Sequence, residues 1–140
     1  MNILFFLIPK ENITYIYEDE TLRQVIEKME NHRFSCVPII DRAGQYVGSI
    51  TEGDLLWGIK KLGSISLKDT EDISLKKIER RLDYGAIHVG AKMEDLLEKA
   101  MDQNFVPVVD DKKSFIGIIT RKDIISHFTK TMCPEKEARE

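Results

Sequence analysis

An α+β fold made of two β-α-β-β-α repeats is predicted by three observations. The stretch Gly48-Ser49-Ile50-Thr51-Glu52-Gly53-Asp54 returns as Gly117-Ile118-Ile119-Thr120-Arg121-Lys122-Asp123, with glycine, threonine and aspartate equally spaced. Pro38 and Pro107, each inside a short apolar run, share the offset of 69 residues that relates Gly48 to Gly117 and Asp54 to Asp123. Between these landmarks the apolar residues change from strand-like runs to helical spacing in the same order twice. A repeat of this size cannot bury its apolar faces alone, so the halves are expected to pack on each other with pseudo-twofold symmetry.

The elements follow in order. Ile13 to Tyr17 is β-rich, and Glu18-Asp19-Glu20 then supplies the acidic cluster favoured at a helix start. Leu22, Val25, Ile26 and Met29 recur at helical spacing, which predicts a helix over 21–32. Val37-Pro38-Ile39-Ile40 and Tyr46 to Ile50 flank the turn residues Asp41-Arg42-Ala43-Gly44 and form a hairpin. Leu55, Leu56, Ile59 and Leu62 line one face of the next helix, which ends at Gly63. A polar connector over 64–72 leads to a predicted helix over 73–82, with apolar Leu75, Ile78 and Leu82.

The order then returns: a strand at Ala86 to Val89, a helical face of Met93, Leu96, Leu97 and Ala100, and a hairpin of Phe105 to Val109 with Phe115 to Ile119. Ile124, Ile125 and Phe128 open the last helix. On this reading 9–66 is the first repeat with its connector, 67–130 the second repeat, and 131–140 a polar tail.

Composition bounds the function. Apolar residues make up 42% of the chain and charged residues 32%, as in an ordinary globular protein, and the net charge of -3 offers no basic surface for nucleic-acid binding through counterion release. The apolar opening Ile3 to Ile8 is too short to span a bilayer, lacks a basic leader and runs into Pro9, so it reads as a buried strand or docking segment. No membrane association and a cytoplasmic location are expected. Cys36 and Cys133 are too few for a disulfide framework and read as reduced thiols.

Catalytic patterns are missing from the sequence. His32, His88 and His127 form no metal-ligand spacing, and there is neither a nucleophile elbow nor a Gly-x-Gly-x-x-Gly turn. Gly58 to Ser64 imitates a phosphate loop, but serine stands where lysine is required and the segment closes a helix. Attention therefore falls on Thr51-x-x-Asp54 and Thr120-x-x-Asp123. As capping boxes they would each stabilise a helix start by about 1 kcal/mol. As paired helix mouths they also offer free N–H groups and positive dipole to a phosphate, beside a carboxylate able to accept both hydroxyls of a ribose. Ser35, Cys36, Val37 and Val106 lead the two Val-Pro strands and have two readings as well: core strand residues, or the wall of an adenine site.

The run Thr21-Leu22-x₂-Val25-Ile26-x₂-Met29, followed by Val37-Pro-Ile-Ile-Asp-x₂-Gly-x-Tyr-Val-Gly-x-Ile-Thr-x₂-Asp54-Leu, closely resembles the cystathionine-β-synthase-type (CBS) domain. Pro107-Val-Val-Asp and Gly117 to Ile124 resemble a second copy, and the likeness covers residues 9–130. This resemblance implies a tandem pair, or Bateman module: a non-catalytic regulatory fold, commonly a homodimer. It implies an adenosyl ligand in the cleft between the repeats, AMP, ADP or ATP, or else S-adenosylmethionine or cyclic di-AMP. Transferred residue by residue, Asp54 and Asp123 hold ribose hydroxyls, Thr51 and Thr120 contact ribose or phosphate, and Ser35, Cys36, Val37 and Val106 line the base. Arg121 is the candidate phosphate partner, with His88, at the end of the second leading strand, the weaker one, whereas the equivalent of Arg121 is Glu52. The second copy is also shorter before Val106. The two sites are therefore expected to differ, the first suiting adenosine and the second charged phosphates. Output is expected through a partner protein or the dimer interface. The rival reading is a structural or interaction module without a nucleotide, in which both turns only cap helices.

Overall fold

The computed structural model describes residues 1–32, 35–63, 65–81 and 84–133. Ser64, Leu82 and the tail over 134–140, on which readings above fall, lie outside them. Two compact units are present: the continuous span Thr14–Tyr84, and Met1–Ile13 joined to the chain from Gly85 onward.

The Thr14–Tyr84 unit holds its elements in the predicted order. We number strands through the whole chain, so that Ile8–Pro9 is β1 and this unit begins with β2 (Ile16–Tyr17), α1 (Leu22–His32), β3 (Cys36–Ile40), β4 (Tyr46–Thr51) and α2 (Glu52–Leu62). Its sheet runs β2-β3-β4, with β2 parallel and β4 antiparallel to the central β3. Pro38 is tolerated in that central strand because β2 pairs only with Ile39 and Ile40, which leaves the proline nitrogen with no ladder partner to miss. Ile16, Leu22, Val25, Val37, Ile39 and Ile50 are almost wholly buried and form the core, joined by Leu75 and Ile78.

Those last two residues correct the predicted helix over 73–82. A 3₁₀ turn, Asp69–Asp72, precedes the segment, whose described residues hold one more, Leu75–Lys77, and then run on without helix to Arg81. Its backbone is bonded outward: Leu22 N donates to Ile73 O at 2.8 Å, Leu75 N donates to Glu20 O at 2.9 Å, and Thr21 bridges Ser74. A carbonyl and an amide committed to the start of α1 cannot also close a helix. The segment therefore packs with the first repeat, although sequence order places it in the second.

The other unit carries β5 (Ile87–His88), α3 (Met93–Asp102), β6 (Phe105–Val109), β7 (Phe115–Thr120) and α4 (Arg121–Met132). Its four-stranded sheet runs β1-β7-β6-β5, so the N-terminal β1 forms the edge beside β7, antiparallel, with Ile8 opposite Ile118 and Pro9 opposite Gly117. Ile3 and Phe6, in a 3₁₀ turn before β1, enter the core with Leu96, Val106, Val108 and Ile119. Among the described residues no helix is long and apolar enough to cross a membrane.

The two hairpin turns show what the repeat preserves. In the first, Asp41 accepts from the amides of Ala43 and Gln45, and Gly44 adopts φ 87°. In the second, Asp110 accepts from Lys112 and Ser114, but the left-handed position is Lys113, with φ 64°. A side chain there costs roughly 1–2 kcal/mol, partly offset by the extra freedom glycine has in the unfolded chain. Lys113→Gly is expected to raise stability by about 0.5 kcal/mol, read as a higher urea midpoint at unchanged slope; a lower midpoint refutes it.

Candidate helix-mouth sites

The first helix mouth is closed. Thr51 precedes α2, its hydroxyl accepts from Asp54 N at 3.0 Å, and Asp54 Oδ2 accepts from Thr51 N at 3.0 Å, a complete capping box. Asp54 Oδ1 accepts from Arg81 N at 2.9 Å, and the residue is only 2% exposed. Both carboxylate oxygens are thus engaged by backbone amides. Glu52 N donates to Ser35 O at 3.0 Å, which occupies another amide of the first turn.

The second mouth shares only half of this arrangement. Thr120 accepts from Asp123 N at 3.1 Å, and Arg121 N donates to Asn104 O at 2.9 Å, the counterpart of the Glu52–Ser35 bond. Asp123 itself is exposed, and its carboxylate takes no hydrogen bond among the described residues. It opens onto a groove of about 360 Å³ within the same unit. One wall is the N-terminal segment Phe5 to Ile8; the other is α4, through Asp123, Ser126, His127 and Lys130. Phe5 is 66% exposed, and the His127 ring meets Phe5, Phe6 and Phe128 edge to face with centroids 5.2, 5.3 and 5.4 Å away. An exposed carboxylate, aromatic faces and a lysine therefore share one concavity.

An equivalent groove in the Thr14–Tyr84 unit is smaller, about 230 Å³, and its helical lining Trp57, Gly58 and Lys61 corresponds at the same 69-residue offset to Ser126, His127 and Lys130. Its other wall is Glu79 to Arg81. The narrowing has a local cause. A Cβ on Gly58 would lie 2.6 Å from Ile78 Cδ1, so the segment before Arg81 lies directly on α2, where the second repeat carries the His127 ring.

The remaining predicted residues lie elsewhere in their units. Val37 and Val106 are 1% and 0% exposed, with side chains inside the two cores, and half-buried Cys36 pairs across the hairpin with Thr51. Ser35 contributes its carbonyl to the mouth of α2. Arg121 Nε donates to Ala100 O at 2.6 Å and Nη2 to Met101 O at 3.3 Å, so its guanidinium caps the C-terminus of α3, where a cation is favoured by the dipole. His88 accepts from Gly90 N at Nδ1, which leaves Nε2 to donate to Asp111. It lines a third groove of about 540 Å³ along α3, where Asp95, Glu98 and Asp102 outnumber Lys99. That lining is ill suited to phosphate. The aromatic wall and Lys130 were not selected from sequence; the traces were the adjacent Phe5-Phe6 and the offset that maps Lys61 onto Lys130.

A pair of β-α-β-β-α units, each with a Thr-x-x-Asp turn at the start of its second helix, defines a tandem-repeat architecture. The family model for the CBS domain matches residues 7–61 and 71–130, and the chain belongs to that family. The inosine-5'-monophosphate dehydrogenase of Methanocaldococcus jannaschii is 29% identical over 125 residues, 85% of this chain. The chain spans 22% of that enzyme's length, and well under half of several other curated relatives. Among solved structures, CbpB in complex with c-di-AMP is similar at a TM-score of 0.84 and 24% identity, covering 99% of this chain and 91% of that one. CBSX2 in complex with AMP is similar at a TM-score of 0.71 and 21% identity, with coverage of 94% and 98%.

Proposed function

We propose that the chain is a non-catalytic regulatory module whose second unit binds an adenine nucleotide, AMP, ADP or ATP, in the groove between the N-terminal segment and α4. The observation that carries this reading is the exposed Asp123 carboxylate at a helix start, in a groove walled by Phe5 and His127. A carboxylate without internal partners accepts the vicinal hydroxyls of a ribose, and aromatic faces stack a purine. Lys130, further along α4 in the same groove, supplies the cation for the phosphate. The volume falls within the range of about 300–1,000 Å³ usual for small-molecule sites. CbpB in complex with c-di-AMP and CBSX2 in complex with AMP, both similar in fold, support the same ligand class.

The rival reading, helix capping alone, is favoured at the other mouth, where Asp54 is buried and fully bonded. We assign Thr51 and Asp54 a structural role and Thr120 and Asp123 the ligand. A ligand shifts an equilibrium only by its differential affinity for two states. Those states, in this proposal, are arrangements of a cytoplasmic homodimer or of its complex with a target protein.

A thermal-shift series with AMP, ADP, ATP, S-adenosylmethionine and cyclic di-AMP tests the assignment. At about a hundredfold excess over Kd, a bound nucleotide adds about 2.7 kcal/mol, a rise of several degrees. Asp123→Ala is expected to abolish that rise while leaving the unliganded melting temperature within about 2 °C of wild type. No rise with any of these ligands at millimolar concentration refutes the nucleotide reading.

A further inference from the structure

We propose that the α2 groove of the Thr14–Tyr84 unit is a docking surface for an acidic segment of a partner protein. The groove departs from its counterpart in three ways. Its aspartate is withdrawn, since Asp54 is buried against the amides of Thr51 and Arg81, so no carboxylate is offered to a sugar. Its volume, about 230 Å³, lies below the range of about 300–1,000 Å³ usual for nucleotide-sized ligands. Its rim is cationic and aromatic.

Trp57 is 39% exposed, with Arg81 Cζ 5.2 Å and Lys60 Nζ 5.4 Å from its ring centroid. Lys61 and Arg80 line the same groove. The acid among its described lining residues is Glu79, which is 3.1 Å from Lys61. Lys60 and Arg81, both over the Trp57 ring, thus place positive charge on this face of a chain whose net charge is -3. Leu56, 62% exposed and one helical turn before Lys60, adds an apolar contact beside the cations.

Tryptophan and arginine are the residues most often found at the energetic centre of protein interfaces, and guanidinium groups bind carboxylates through paired hydrogen bonds. An acidic segment with an aliphatic residue matches both the charge and Leu56. A nucleic acid fits less well, because the cations form one compact cluster and Glu79 stands among them. The proposal does not depend on the nucleotide site in the other unit.

Trp57 is the single tryptophan of the chain, so its emission reports the surface directly. Titration with a tryptophan-free, glutamate-rich peptide carrying one leucine is expected to shift that emission saturably at low salt, and less at high salt. Lys60→Glu with Arg81→Glu is expected to weaken binding at least about tenfold, while the response of the other unit to AMP or ATP is retained. Should charge reversal unfold the protein, Lys60→Gln with Arg81→Gln is read in the same way. The proposal is overturned if the peptide leaves Trp57 unchanged, or if both variants bind it as wild type does. It is also overturned if a single-stranded oligonucleotide, phosphatidylglycerol vesicles or ATP bind this surface more tightly than the peptide. Emission that changes with protein concentration alone would assign the surface to a second copy and overturn it equally.

Discussion

Asp54→Ala is expected to lower the melting temperature by about 10 °C, whereas the equivalent Asp123→Ala hardly moves it. The carboxylate of Asp54 is buried and accepts from Thr51 N and Arg81 N. Alanine leaves those two amides without acceptors and removes a helix cap, a loss of about 2–3 kcal/mol. At this chain length each kcal/mol corresponds to roughly 3–5 °C. Asp54→Asn keeps one oxygen acceptor and should fall between alanine and wild type. Calorimetric melts of the three variants decide the matter: equal losses for Asp54→Ala and Asp123→Ala would remove the distinction between a structural and an open helix mouth.

Gly117→Ala is expected to dislodge the N-terminal strand. A Cβ at this position would lie 2.2 Å from Ile8 O and 2.9 Å from Leu7 Cδ1, and the first of these is backbone that cannot turn aside. Either β1 separates from β7 or the sheet distorts, at a cost of about 2–4 kcal/mol. Because Phe5 to Ile8 form one wall of the Asp123 groove, the nucleotide-induced rise in melting temperature should shrink as well. Hydrogen exchange at Ile8 and Ile118 measures the first effect and thermal shift the second. Native protection at Ile8 in the variant would show that the edge tolerates the methyl group.

Most of the fold is legible in the sequence because the repeat marks it twice. Pro38 and Pro107, Gly48 and Gly117, and the two Thr-x-x-Asp turns hold one offset, and the helical periods between them leave few alternative arrangements. The failure over 73–82 is instructive: Leu75 and Ile78 are three apart, as in a helix, yet they reach the core from a segment in which Ile73 O accepts from α1 and Leu75 N donates to the turn before it. Apolar spacing records which side chains are buried and is silent on where backbone bonds go.

The site was less legible for the same reason. Thr51-x-x-Asp54 and Thr120-x-x-Asp123 are alike as local patterns; they are distinguished by the amide of Arg81, 27 residues from Asp54. Arg121 looked suited to phosphate because it follows a helix-mouth threonine, but the carbonyls of Ala100 and Met101 that receive it belong to another helix. The opening apolar run suggests a buried or docked segment, which holds for Ile3 and Phe6, while Phe5 faces solvent.

The membership of Met1–Ile13 in the later unit has a consequence for synthesis. Thr14–Tyr84 is contiguous and is complete once its last residue leaves the ribosome. Ile8 and Pro9 must instead wait for Ile118 and Gly117, about a hundred codons later. At roughly 5–20 residues per second that delay is on the order of 5–20 s, during which an unpaired apolar edge is exposed to chaperones and to neighbouring nascent chains.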